Sequence, residues 1–568
     1  MADFDLNLDL DLDRIPDPAT RLAVGRLLNL VEHLYAENLA LRAENLRLNN
    51  EIARLKGEQG KPSFPANRPA SPNPPPAPPD HSSERERRQP KPWHKAPKRH
   101  RIVIDRVVSL PIDPASLPPD AQFKGYAPFL VQDLVLKTDN VLFFRALYYS
   151  PSRSQSFAAP LPPGHSGHYG PGIRTLALVL SYGCLVGEKP IHALFTDAGI
   201  EISTGQISSF LIHGHEQFHT EAQAVLRAGL SSSPWQNLDD TPTRVNGQNH
   251  ACFTLGNPLY TAYRTLASKE RLSVLLVLQG GETLRYRLNE TALGYLKRVG
   301  VSQKLWERVA ALSAARAPDE EWEETSFLSM LASELAPLGP QQRQRVREAA
   351  ALAAYRAQEG SPVAMLVCDD APQWREITEA LALCWVHDGR HYTKLSAYLA
   401  PHRTLLEEFR KSYWEFYRKL RRYQEQPTTA EATRLEAEFD ALFGEETGYD
   451  LLDDRIRLTR GKKKELLTVL MHPEAPLHNN AAELGVRRRV RKRDVSFGPR
   501  TDSGTQAWDT FQTVAATASK LGISFYHYLY DRMSGANRMP ALAEVIEERA
   551  RDLDLGASWR TLSEPAAT

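Results

Sequence analysis

At 568 residues the chain is too long for one hydrophobic core and should divide into several domains. Its 42% apolar and 24% charged residues suit a globular protein, and a formal net charge of +1 excludes a uniformly basic or acidic one, so a polyanion partner must be sought in local charge. Four scattered cysteines without a Cys-x-x-Cys pair, no apolar run near the roughly 20 residues of a membrane span, and no signal-peptide pattern argue against a disulfide scaffold, a Cys-rich zinc site or a membrane partner. A reducing cytoplasm is the expected compartment.

Asp3, Asp5, Asp9, Asp11 and Asp13 open the chain. Residues 20–56 then form a heptad segment. Leu27, Leu34, Leu41, Leu48 and Leu55 fall seven apart, with Val24, Val31, Asn38, Asn45 and Ile52 on the companion seam. Leu at d with β-branched residues or Asn at a favours a parallel two-stranded coiled coil, because paired Asn38 and Asn45 side chains satisfy each other in that register. A homodimer is expected; the competing reading is one amphipathic helix packed on its own chain. Residues 57–100 hold 12 prolines and a basic end, an extended spacer that builds no core.

Residues 101–163 read as a small β-rich module of three strands, RIVIDRVVSL, FLVQDLVLKT and VLFFRALYYSP. Residues 164–230 read as helical. IRTLALVLSYGCLVG and EKPIHALFTDAG are two helices, and Ser203 caps a third that runs on through HGHEQF. Helix, short Gly-containing turn and helix make a helix-turn-helix-like unit, in which Thr204, Gln206, Ser208 and Ser209 are candidate DNA contacts.

Residues 231–530 read as an α/β core with helical insertions at about 290–360 and 400–471. WQNLDDTPTRV, ACFTLGNPLYTAYRTL and LSVLLVLQG are expected as an antiparallel meander, the first turn at Asn246-Gly247. PVAMLVCDD is expected as a buried fourth strand, followed by a helix and then another strand. Phe409, Tyr413, Phe416, Tyr417 and Leu420 recur at helical spacing and read as core. The tail, 531–568, is polar.

Three acid positions carry the chemistry: Asp239 or Asp240, Asp369 or Asp370, and Glu483. The first two sit at expected strand ends. Glu483 precedes a cationic run, Arg487, Arg488, Arg489, Arg491, Lys492 and Arg493, that suits phosphate backbone. Distant carboxylates that converge can hold Mg²⁺ (or Mn²⁺) for phosphodiester transfer. Each also has a plainer use: Asp in a turn, and Glu483 in a capping box begun by Asn480. His387 and His391 read as packing or phosphate contacts rather than metal ligands.

The blocks LDDTPTRVNGQNH, CDDAPQW, CWVHDGRHY and NNAAELGVRRRVRKRDVSFG resemble those of insertion-sequence-66 family transposases. These are DDE enzymes with an RNase H-like core, and the resemblance runs over most of residues 20–530. It implies that Asp239, Asp369 and Glu483 bind two Mg²⁺ ions. It further implies a protein of the bacterial nucleoid that cleaves and joins the DNA of a mobile element, with accessory transposition proteins among the partners to look for. The chain departs from the family in lacking a Cys-containing zinc module near the helix-turn-helix and in having Leu484 where an Arg usually follows the catalytic Glu. The alternatives are a non-catalytic dimeric DNA-binding regulator derived from a transposase, and an RNase H-type nuclease that cuts without joining.

Overall fold

The computed structural model describes residues 14–55 and 102–559, apart from 114, 115, 119, 166, 282 and 359–362. The acidic opening and the Pro-rich spacer lie outside the described residues. Helix α1 spans Pro18–Leu55. Its expected seam, Leu27, Leu34, Leu41, Leu48 and Leu55, is 44–76% exposed. The opposite side of its first half packs on the chain's own body through Leu28 and Glu32, both buried, and Tyr35, whose ring lies 4.9 Å from Tyr398.

The β-rich module is largely corrected. Between 102 and 146 the described residues form no strand; only β1 (Leu147–Ser150) and β2 (Gln155–Ala158) pair, as a hairpin. The first two apolar runs carry no strand among the described residues and pair with nothing there. Helices α2 (Pro171–Leu178), α3 (Glu188–Asp197), α4 (Thr204–Ile212) and α5 (Glu216–Ser231) follow. Between α3 and α4 the chain turns at Gly199, where φ is +79°, and the Ser203 hydroxyl accepts the Gln206 N–H at 3.1 Å. The third helix is split in two, because Gly214 takes the left-handed conformation between α4 and α5.

The central sheet comprises β3 (Trp235–Val245), β4 (Gln248–Gly256), β5 (Thr261–Leu266), β8 (Met365–Cys368) and β9 (Ala380–Leu383), in the order β5-β4-β3-β8-β9. The first three are antiparallel, with Asn246 and Gly247 both at positive φ in the β3–β4 turn; β8 and β9 run parallel to β3. The meander therefore exists with shifted bounds. ACFTLGNPLYTAYRTL supplies two strands, and LSVLLVLQG is not the third: it forms helix α6 (Arg271–Leu278), burying Leu272, Val274, Leu275, Val277 and Leu278.

The first insertion is helical, as expected, with α7 (Glu290–Arg298), α8 (Gln303–Ala314), α9 (Glu324–Glu334) and α10 (Pro340–Arg356), plus a small hairpin of β6 (Arg285–Arg287) and β7 (Glu321–Glu323). After β8 the expected helix and strand come in reverse order: β9 first, then α11 (Trp385–Lys394). The second insertion is α12 (Ala400–Glu425), α13 (Thr429–Leu442) and α14 (Asp450–Arg460). Phe409, Tyr413, Phe416, Tyr417 and Leu420 are buried on α12, and burying each such side chain is worth about 1.5–3 kcal/mol.

Helices α15 (Asn480–Ser496), α16 (Asp502–Lys520), α17 (Phe525–Met533) and α18 (Leu542–Leu553) close the fold. The polar tail is more ordered than its composition suggested. Leu542 and Ile546 are fully buried, and Trp559 stacks on His472 with ring centres 3.8 Å apart. Among the described residues no helix is long and apolar enough to cross a membrane.

Candidate active site

The parallel register of β3 and β8 places the first two acids. Asn237 pairs with Val367. Two residues further along each chain stand Asp239 and Asp369, where the parallel pairing has ended. Asp239 is thus not at a strand end as expected; β3 continues past it as the hairpin arm paired with β4, opposite Thr254. Both acids are partly exposed. Burial pushes the Asp239 carboxyl up to about 7, and the negative charges of Asp369, Asp240 and Glu483 add to the effect.

The third acid arrives on α15. Asn479, just before that helix, donates from its amide to the Leu238 carbonyl at 2.8 Å and accepts from Asn237 at 3.0 Å. These bonds tie the start of α15 to β3 one residue before Asp239. The close approach also needs Gly485: a Cβ there would lie 2.4 Å from Thr254 Cγ2, and the Tyr263 hydroxyl donates to its carbonyl at 3.0 Å. Glu483 is buried. Its Oε2 accepts from Arg390 at 3.1 Å, and its Oε1 lies 3.6 Å from His387 Nδ1; among the described residues neither Oε1 nor Nδ1 has a hydrogen-bond partner. The capping box is not formed, since Asn479 flanks the helix, its side chain makes no cap, and Glu483 turns toward α11.

Neighbouring side chains separate each acid from its twin. Asp370 is ion-paired to Arg375 and, at 2.5 Å, to Lys462, which hold its carboxyl below the ordinary range despite partial burial. Asp369 instead accepts the Trp374 indole N–H at 2.6 Å and the Ala371 N–H at 3.2 Å. The Asp240 side chain is engaged by Gln373 at 3.0 Å. Among the described residues Asp370 is the acid of these two pairs that carries an ion pair.

Magnesium is held by carboxylate oxygens. The residues present fit such an ion. Burial raises the Asp239 carboxyl first and the negative charges of Asp369 and Glu483 add to it, a repulsion that a cation relieves, and Glu483 Oε1 is buried without a hydrogen-bond partner among the described residues.

The basic run is corrected in part. Arg489 is 1% exposed; it pairs with Asp509 at 3.0 Å, bonds Gln512 and Thr265 at 2.7 Å each, and lies over the Trp508 ring. Lys492 is 2% exposed and donates to Ser181 at 2.7 Å; burial pushes its ammonium down to about 8. Arg488 donates to the carbonyls of Tyr182 and Gly183, and Arg493 to that of Pro242. Arg489 and Lys492 are therefore interior struts that fasten α15 to its neighbours, since a side chain with no exposed surface cannot meet a phosphate. Arg487 is partly exposed and Arg491 exposed. Thr204 is exposed and Gln206 half-buried at the start of α4, remote in the chain from the acids.

Sequence reasoning passed over Cys384 and Arg390 and took His387 for packing or a phosphate contact. Cys384 and His387 are three apart at the start of α11, and their ligand atoms and one from Glu483 all lie within 4.8 Å of one another. The i,i+3 spacing was the available signal, hidden by the expected helix–strand order.

The fold and site together define a mixed α/β protein, its sheet flanked by helices, with an acid cluster where two adjacent parallel strands part. No family model matches the chain, and no solved structure does. Over 328 residues it is 34% identical to the uncharacterized protein y4jO of Sinorhizobium fredii, a match covering 57% of this chain and 100% of that protein. The chain belongs to the same family as that protein.

Proposed function

We propose that the protein is a DDE-type DNA transposase with an RNase H-like core, catalysing 3′-end cleavage and strand transfer of a mobile element. The observation that carries this reading is the convergence of Asp239, Asp369 and Glu483: the β3–β8 register supplies the first two, and the Asn479 tether brings the third. The strand order supports it as well, with three antiparallel strands followed by two parallel ones on the far side of the first.

Asp239, Asp369 and Glu483 would hold Mg²⁺ (or Mn²⁺), which supplies charge neutralisation at the scissile phosphate and an activated oxygen nucleophile. The chain's own residues do the rest. Trp374 fixes the Asp369 carboxylate, Arg390 fixes one oxygen of Glu483, and Asp370 is kept apart by Lys462 and Arg375. Lys269, whose charge acts on Asp240, and Arg390 are cations near the acids for the DNA backbone. Pairing of two chains through the exposed Leu27–Leu55 stripe would bring two element ends together on the bacterial nucleoid.

The test is incubation of the protein with its element ends and Mg²⁺, reading 3′-end cleavage and strand transfer, with Glu483→Gln alongside. Binding without cleavage would favour a dimeric DNA-binding regulator. Cleavage that persists in Glu483→Gln would sink the site assignment.

A further inference from the structure

We infer that Cys384, His387 and Glu483 form a binding site for one thiophilic divalent cation, Zn²⁺ in the first instance, that shares Glu483 with the carboxylate site. Cys384 is the residue just before α11 and His387 lies in its first turn, so the two side chains rise from the same edge of the helix. Glu483 reaches them from α15. One ligand atom from each residue lies within 4.8 Å of the other two.

Three further observations point to a ligand rather than to packing. Among the described residues, Glu483 Oε1 and His387 Nδ1 are both buried without a hydrogen-bond partner, although they are only 3.6 Å apart, and the Glu483 side chain is 9% exposed. Arg390 holds Oε2, which leaves Oε1 directed at the pair. The Asn479 N–H donates to Cys384 Sγ at 3.3 Å, an outer hydrogen bond of the kind that steadies a ligating thiolate. The His387 side chain, 28% exposed, marks the route by which an ion enters.

The donor set selects the ion. Thiolate, imidazole and carboxylate suit Zn²⁺, which takes them at about 2.0–2.3 Å and leaves a fourth position open. Mg²⁺ takes oxygen ligands and has no use for the sulfur. Binding displaces the thiol proton of Cys384 to solvent.

The consequence for activity rests on the function proposed above. A Zn²⁺ ion on Glu483 withholds the third acid from Mg²⁺, so Zn²⁺ acts as an inhibitor whose grip depends on Cys384. The binding itself does not rest on that function.

The test uses the full-length protein and Co²⁺ as a spectroscopic stand-in for Zn²⁺. One Co²⁺ per chain should bind with a sulfur-to-cobalt charge-transfer band, and stoichiometric Zn²⁺ should bleach it. Cys384→Ser should lose the band while its thermal melt stays near that of the parent. His387→Gln and Glu483→Gln should weaken binding about 10-fold or more. Cys184→Ser, which changes the one exposed cysteine, should keep the band. No sulfur band, or a band that survives in Cys384→Ser, overturns the site. In a second arm, Zn²⁺ should suppress Mg²⁺-dependent DNA cleavage, with about 10-fold more needed in Cys384→Ser. Cleavage equally sensitive in both proteins overturns the inhibitory role. A protein that cleaves no DNA under any condition sinks the transposase reading, while the cobalt band still decides the site.

Discussion

Asp369 and Asp370 are adjacent in sequence and opposite in circumstance. One faces Asp239 and is held by an indole; the other is neutralised by Lys462 and Arg375. On the function proposed above, Asp369→Asn should lower DNA cleavage about 1,000-fold, the scale of several kcal/mol of lost metal-borne charge stabilisation, while Asp370→Asn costs activity only a few-fold. A cleavage time course on both variants separates them, and equal losses would refute the division. Asp369 was legible in the sequence because a buried apolar strand led up to it, whereas Asp239 and Glu483 rested on the blocks around them. Cys384 and His387 were not legible, because nothing local announces that α15 will bring Glu483 beside α11. A second residue-scale effect concerns pH. Lys520 is half-buried by surface, but its amine points inward and donates to the carbonyls of Asn257 and Tyr260 at 2.6 Å each, and burial of that group pushes it down to about 7. In the unfolded chain it titrates near 10.5. Between those values the unfolded state binds the extra proton, so this residue's contribution to stability is present above pH 10.5 and is lost as the pH falls toward 7. Its share of the slope is at most about 1.4 kcal/mol per pH unit. Lys520→Met should flatten that part of the stability profile, measured by denaturant melts between pH 7 and 9; an unchanged slope would show that the amine stays charged.

At the scale of elements, α15 explains why a cationic run need not be a DNA surface. Its period sets Arg489 inward against α16 and β5 and Lys492 against the turn that follows α2, and leaves Arg491 outward. Arg489→Leu removes a buried cation and strands Asp509, so it should cost about 3–5 kcal/mol in a thermal or denaturant melt. Arg491→Ala should leave the melt alone and reduce the salt dependence of DNA binding by about one counterion. The reverse pattern would return the whole run to the surface. Gly485→Ala should also destabilise, by about 1–3 kcal/mol, because its methyl would press on Thr254. Element types were legible where periodicity was clear, as in α12, whose aromatic face is buried as its spacing demands. They were illegible where an apolar run had no period. LSVLLVLQG suits a buried strand or a buried helix equally, and only its packing within the core makes it α6. RIVIDRVVSL had strand composition but no neighbour to pair with, and strand propensity alone supplies no ladder.

For the whole molecule, the decisive element is α1, one side of which is docked on the body while the leucine stripe is exposed. The leucine repeat was readable from spacing alone. The docking of the first half was not, because it depends on a buried carboxylate at a position between the heptad leucines. Glu32 is 1% exposed, accepts the Leu399 N–H at 3.0 Å, and meets His402 Nδ1 at 3.2 Å, with His402 stacked on Tyr449. A helix fixed in this way to the start of α12 presents its leucines at a set angle to the body. Two chains joined through that stripe would hold their acid clusters in a fixed mutual arrangement, which synapsis of two DNA ends requires. The joint substitution Leu34→Asp and Leu41→Asp changes only side chains that are 53% and 55% exposed in the single chain. It should convert a dimer to a monomer by light scattering while leaving the melt of the body unchanged. Cleavage of a single DNA end should then outlast the joining of paired ends. Glu32→Gln should do the opposite: the dimer persists, but the buried carboxylate's bonds to α12 weaken and paired-end joining falls without loss of dimer mass. A double-Asp variant that remains dimeric would place the subunit contact elsewhere, and the exposed apolar residues between 102 and 149 would be the next surface to test.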